Sequence, residues 1–265
     1  MSAVHTLLAN LWLLLQQPQT WLFIVIGFVA QLSDGALGMG FGAVSSTVLA
    51  ALGVPREIAS ATVNGAKLVT GVLSGVSHLV FRNIDWPLFF FLTISGCVGG
   101  WAGATLMTFH SSRWVGVFVS GYLLIVGAYI IWRASHDPPE FITRTRISGI
   151  GLAGGFLEAV SGVWGPLVTS NLVAHGANPR HAVGTGNLSE TFVAITVFVV
   201  LVHHIGFEQL SIAMSGLLIG AVVGAPVGAS FTRKLPRKAL TIAVGLMVIL
   251  MSLLRLWRDL IIFNQ

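Results

Sequence analysis

The sequence predicts an all-α integral membrane protein built from two homologous halves, on three observations. Of its 265 residues 55% are hydrophobic and only 9% charged, whereas soluble domains carry about a quarter charged residues. Eight apolar segments recur along the chain, each meeting the roughly 18-residue length that crosses about 30 Å of hydrocarbon. The last four repeat landmarks of the first four in the same order. The net charge of +5 lies in the loops without a long basic tract, so it reads as a topology signal and not as a nucleic-acid surface. The single Cys97 sits inside an apolar segment, which excludes an intrachain disulfide and a cysteine metal cluster.

In chain order, residues 1–20 form an expected interfacial helix. No Lys or Arg and no small-residue cleavage site mark its start as a removable signal. The first repeat, 21–133, contains the segments Trp21–Ala51, Ile58–Phe81, Leu88–Phe109 and Trp114–Trp132. A hydrophilic linker, 134–146, carries Asp137, Pro138 and Pro139. The second repeat, 147–258, contains Ile147–Ala174, Val183–His203, Ile212–Phe231 and Ala239–Leu256, and a tail, 259–265, follows.

At a shift of about 123 to 127 residues, Gln31-Leu-Ser-Asp-Gly-Ala-Leu-Gly38 matches Glu158-Ala-Val-Ser-Gly-Val-Trp-Gly165. Pro55-Arg56 likewise matches Pro179-Arg180, Thr62-Val-Asn64 matches Thr185-Gly-Asn187, and Gly99 and Gly103 match Gly224 and Gly228. The first segment of each half, near 30 residues, is too long for one straight crossing at about 1.5 Å per residue. Each is interrupted, by Gly35, Gly38, Gly40 and Gly42 in one and by Gly162, Gly165 and Pro166 in the other. Each is thus either one long tilted helix or a re-entrant helical hairpin, followed by three transmembrane helices.

Charge favours the hairpin. With it, loop Lys and Arg divide nine (Arg82, Arg133, Arg144, Arg146, Arg180, Arg233, Lys234, Arg237, Lys238) against four (Arg56, Arg113, Arg255, Arg258), a positive-inside asymmetry. Eight single crossings divide the same residues seven against six. Three net crossings per half invert the second half relative to the first and put both termini outside the cytoplasm.

Four charged residues lie within apolar segments: Asp34, Lys67, Glu158 and Glu190. A charge at membrane depth is costly and points to function. Lys67 and Glu190 are equivalent in the two repeats and sit roughly 14 Å into their segments, near mid-bilayer. They read as a structural ion pair between the halves, or as an anion-attracting cation beside a proton-exchanging carboxylate; snorkelling of Lys67 is the third reading. Asp34 and Glu158 flank the glycine breaks and read as caps on freed backbone amides or as proton relays and gates. Gly38, Gly40, Gly42 and Gly165 are expected to offer backbone amides at a half-helix N-terminus to an anion, with Thr62, Asn64, Thr185 and Asn187 adding polar side chains. The GxxxG pairs Gly99/Gly103, Gly220/Gly224 and Gly224/Gly228 read as close helix packing, and exposed faces of this kind permit a homodimer. His78, His110, His136, His175, His181, His203 and His204 form no metal-ligand spacing, and no nucleophile and base share a site. No cofactor and no enzymatic activity are expected.

The Gly35-Ala-Leu-Gly-Met-Gly-Phe-Gly42 stretch, the Thr-x-Asn element after Pro-Arg and the Asn83-Ile-Asp-Trp86 turn, with their partial repetition, resemble the sulfite exporter TauE/SafE family of transporters. The resemblance covers nearly the whole chain after the N-terminal helix. It implies a bacterial-type inner-membrane transporter of sulfur-containing anions such as sulfite or organosulfonates. Phe41 inside the glycine run and Trp164-Gly-Pro166 in the second copy depart from the usual pattern. The expectation is therefore a secondary transporter of a small anion, an exporter working by alternating access between the repeats, with an anion channel filtered by the glycine breaks as the alternative.

Overall fold

The computed structural model describes residues 15–37, 40–109, 113–133, 135, 144–174, 177 and 179–232, with scattered helical positions between 238 and 260. Gly38, most of the linker 134–146, the chain before residue 15 and most of the tail lie outside the described residues. Every regular element among them is helical. In order they are α1 (Pro18–Leu37), α2 (Phe41–Ala51), α3 (Arg56–Val80), α4 (Trp86–Phe109), α5 (Arg113–Arg133), α6 (Arg144–Ser161), α7 (Trp164–Ala174), α8 (Pro179–Ile205), a 3-10 turn (Glu208–Leu210) and α9 (Ser211–Thr232).

Each long first segment is two helices. α1 stops at Leu37 and α2 restarts at Phe41; α6 stops at Ser161 and α7 restarts at Trp164. The second break turns on Gly162, whose φ of 71° lies in the left-handed region that L side chains resist. The helices after the breaks, α2 and α7, have 11 residues each, about 16 Å of helix and half the thickness of a bilayer core. α4 starts where Asp85 Oδ1 accepts the Leu88 amide at 3.1 Å, an N-cap before a Trp-Pro first turn.

The halves pack reciprocally. α1 lies along α9, α4 along α6, and α3 crosses α8. A Cβ on Gly99 of α4 would strike the Leu152 carbonyl of α6, and one on Gly224 of α9 would meet the Phe28 carbonyl of α1. The exchange recurs two turns back along α4 and α9: Gly151 of α6 abuts Leu92 of α4, as Gly27 of α1 abuts Leu217 of α9. Small residues here let backbones approach, which is the basis of helix association in lipid. The faces of Gly99, Gly103, Gly220 and Gly224 are consequently covered by α6 and α1 within the chain, and they present no surface to a second copy.

α3 and α8, the equivalent helices of the two halves, run antiparallel. Gly65 meets Phe198, Gly71 meets Thr191, Gly75 meets Leu188, and His78 approaches Gly184, so the partner number falls as the α3 number rises. The outward faces are apolar: Val25 and Val29 on α1, Val72, Leu73 and Val76 on α3, Phe90, Ile94 and Val98 on α4, and Val222 and Val223 on α9 are all exposed. Among the described residues two helical stretches, Trp86–Phe109 and His181–Ile205, are long and apolar enough to cross a membrane.

The structure also corrects the repeat register. Phe41 and Trp164, Thr62 and Thr185, and Lys67 and Glu190 each lie 123 residues apart. This constant offset pairs Gly42 with Gly165, where the sequence match paired Gly38 with it. Before the breaks the glycine contacts pair Phe28 with Leu152 and Gly27 with Gly151, which sets Asp34, in place of Gln31, opposite Glu158. One extra residue in the first break accounts for the change.

Candidate functional site

The site begins at the two helix restarts. A helix start leaves its first amides without intrahelical partners, and in each half an acidic residue before the break supplies one. Asp34 Oδ1 accepts the Phe41 amide at 3.3 Å, and Glu158 Oε2 accepts the Trp164 amide at 2.9 Å. Both carboxylates thus act as caps on the second helix of their own half, where acceptor and helix dipole agree in sign.

The two breaks touch. A Cβ on Gly162 would come within 2.7 Å of the Gly42 carbonyl, and one on Gly42 would strike the Gly162 carbonyl. Hydroxyls close the buried end of α6: Ser46 Oγ of α2 donates to the Ser161 carbonyl and Ser60 Oγ of α3 donates to the Ala159 carbonyl, each at 2.5 Å. The Glu158 carbonyl accepts the Gly162 amide at 2.8 Å. The carbonyls freed by the break are therefore satisfied largely by the other half of the chain, as burial away from water requires.

Lys67 reaches this junction from α3. Its Nζ donates to Glu158 Oε1 and to Glu190 Oε1, both at 2.6 Å. A Cβ on Gly42 would lie 2.5 Å from the same nitrogen, so only glycine leaves it room. Lys67 and Glu190 face each other across the halves, one of the readings of the sequence, and Glu158 joins them. The two carboxylates differ: the side chain of Glu158 is fully buried and that of Glu190 is 20% exposed.

Helical periodicity puts Ser60, Asn64 and Lys67 on one face of α3. Asn64 is fully buried; its Nδ2 donates to the Ser60 carbonyl at 2.9 Å, while its Oδ1 has no partner among the described residues. Thr62 is also buried with its Oγ1 unpartnered, but it points around the helix from that face. Gly40 and Gly165 are buried beside Phe41 and Trp164 at the two restarts, and Gly38 lies outside the described residues.

Thr185 and Asn187 are used elsewhere. Thr185 Oγ1 accepts the Asp85 amide at 2.9 Å, at the start of α4, and Asn187 Nδ2 donates to Ser74 Oγ at 3.2 Å, two turns along α3 from Lys67. They are equivalents of Thr62 and Asn64 in sequence; Asn187 stands one turn before Glu190 on the same face of α8, but the bonds of both go away from the central ion pairs. Sequence reasoning missed Ser46, Ser60 and Trp164. The buried indole of Trp164 donates from Nε1 to the Gly186 carbonyl at 3.0 Å and lies over Gly96 and Gly154. The spacing of Ser60, Asn64 and Lys67 was a signal for one polar face on α3; no pattern joins Ser46 to Ser161.

Over 201 residues the chain is 33% identical to the "Probable membrane transporter protein YtnM" of Bacillus subtilis (strain 168), a match that covers 71% of this chain and 66% of that protein, just under two thirds of its length. No solved structure matches the chain. Residues 23–254, which take in both breaks, all four internal charges and the reciprocal packing of the halves, match the model of the sulfite exporter TauE/SafE family, and the chain belongs to that family of membrane proteins.

Proposed function

We propose that the chain is a multi-pass secondary transporter of the cell inner membrane that exports a small sulfur-containing anion, such as sulfite or an organosulfonate, by alternating access at a site between its halves. The observation that carries the reading is the Lys67 ammonium held where the two broken helices meet. It supplies a cation next to half-helix N-termini, which suits an oxyanion with several acceptor oxygens. The family name and the printed description of the relative support transport of this kind.

The binding residues are Lys67 with Asn64, Gly40, Gly42 and Gly165, and with Gly38 in the first break; Thr185 and Asn187 shape the packing of α8. Inverted insertion of the halves is part of the proposal, supported by the antiparallel crossing of α3 and α8. The hairpin reading is supported by α2, which begins at Lys67 in the middle of α3 and ends at the turn leading into the start of α3.

Uptake of labelled sulfite and methanesulfonate into proteoliposomes tests the function. Saturable flux with mutual competition is expected. Flux that never saturates identifies a channel, and no flux of either anion removes the substrate class.

A further inference from the structure

The transport reading leaves open which acidic residue moves a proton, and the geometry at Lys67 distinguishes them. An ammonium has three N–H donors. Two go to Glu158 and Glu190, and the nitrogen, in a side chain that is buried, sits where a Cβ on Gly42 would fall. With the ammonium buried and held by two carboxylates, an anion that bonds Lys67 takes the place of one of them.

Glu158 is the wrong one to move. Its second oxygen holds the Trp164 amide and its side chain is fully buried, so its departure would uncap α7 as well. Glu190 is held by Lys67 alone among the described residues and is partly open. Once displaced, it faces Glu158 of α6 and Asp34 of α1, with the positive charge of Lys67 now shared with the anion. Helices α2, α4, α7 and α9 carry no Asp, Glu, Lys, Arg or His, and the other charged residues and histidines of α1, α3, α5, α6 and α8 lie towards the helix ends. Among the described residues no second cation is at hand to replace Lys67.

Resting on the transport reading, we propose that the substrate anion and the Glu190 carboxylate compete for the Lys67 ammonium, so that one proton enters on Glu190 for each anion bound. An O–H bond forms on Glu190 with a proton that a hydronium or buffer acid of the adjoining aqueous phase gives up, Lys67 keeps its three hydrogens, and the anion accepts the hydrogen bond that Glu190 gives up. Release reverses each step. Proton and anion then travel together, a monovalent anion crosses without net charge, and direction follows the two concentration gradients in place of the membrane potential.

Methanesulfonate, whose charge is fixed, is the probe. Titration calorimetry of the purified protein in buffers of different ionisation enthalpy counts protons taken up per anion bound. Wild type is expected to take up one, and its affinity to rise about tenfold per unit fall in pH while Glu190 is ionised, by reciprocal linkage. Glu190→Gln, a neutral isostere of the protonated acid, is expected to bind the anion with no proton uptake and no pH dependence. Binding by wild type without proton uptake, or proton uptake persisting in Glu190→Gln, overturns the inference and leaves the transport reading in place. Proton-linked binding through Glu190 in a protein that moves neither anion across vesicles removes the transport reading and leaves the inference standing.

Discussion

At the scale of single residues, the centre of the molecule is an imbalance: three carboxylates and one ammonium lie among otherwise uncharged helix interiors. Buried ion pairs contribute little net stability, because desolvation offsets attraction, but removing one partner is expensive. Lys67→Ala strands Glu158 and Glu190 together and is expected to destabilise the protein by about 3–5 kcal/mol and to abolish anion binding. Thermal unfolding in detergent measures the first effect and calorimetry the second. Adding Glu158→Gln and Glu190→Gln to Lys67→Ala is expected to recover much of the stability and none of the binding. A triple variant that still binds the anion would remove Lys67 from the site. The four charges were legible because charge in an apolar segment is rare. The pairing of Lys67 with Glu190 was legible too, from their equivalence in the repeats; that of Lys67 with Glu158 was not, since it depends on how α3 meets α6, and no periodicity records that.

At the scale of elements, the breaks decide the fold. Gly162 combines a left-handed φ with contact against Gly42, so Gly162→Ala meets a backbone penalty of roughly 1–2 kcal/mol and a clash besides. Loss of both thermal stability and flux is expected. Gly121 of α5 is the control: a Cβ there meets nothing within 4 Å, and Gly121→Ala is expected to stabilise by about 0.5–1 kcal/mol through helix propensity with flux unchanged. Equal losses in the two variants would mean that the breaks have no special place. The two overlong segments and their glycine interruptions were readable from length and composition. The register was misread because Gly38, Gly40 and Gly42 offer several alignments to Gly165, and only the restarts at Phe41 and Trp164 choose among them.

At the scale of the whole molecule, the two halves exchange places through their contacts, Gly99 with Leu152 and Gly224 with Phe28. Inverted insertion predicts opposite sides for the turn after α2 and the turn after α7. In a Cys97→Ser background, Val54→Cys and Ala177→Cys are expected to react with an impermeant maleimide from opposite faces of the membrane, Val54→Cys from outside the cell. Labelling of both from one face would restore eight single crossings. The repeated order of landmarks was legible across each half; the reciprocal packing was not, because each contact joins a glycine of one helix to a residue of a helix far off in sequence, and no local pattern records which helices meet.

The meeting of Lys67 with Glu190 has a consequence for the history of such a chain. A forerunner assembled from two identical half-length copies would carry the same residue at both places, and two lysines or two glutamates cannot bond as these do. Within one polypeptide the two positions are free to differ. The opposite charges 2.6 Å apart are an asymmetry that two identical copies cannot encode.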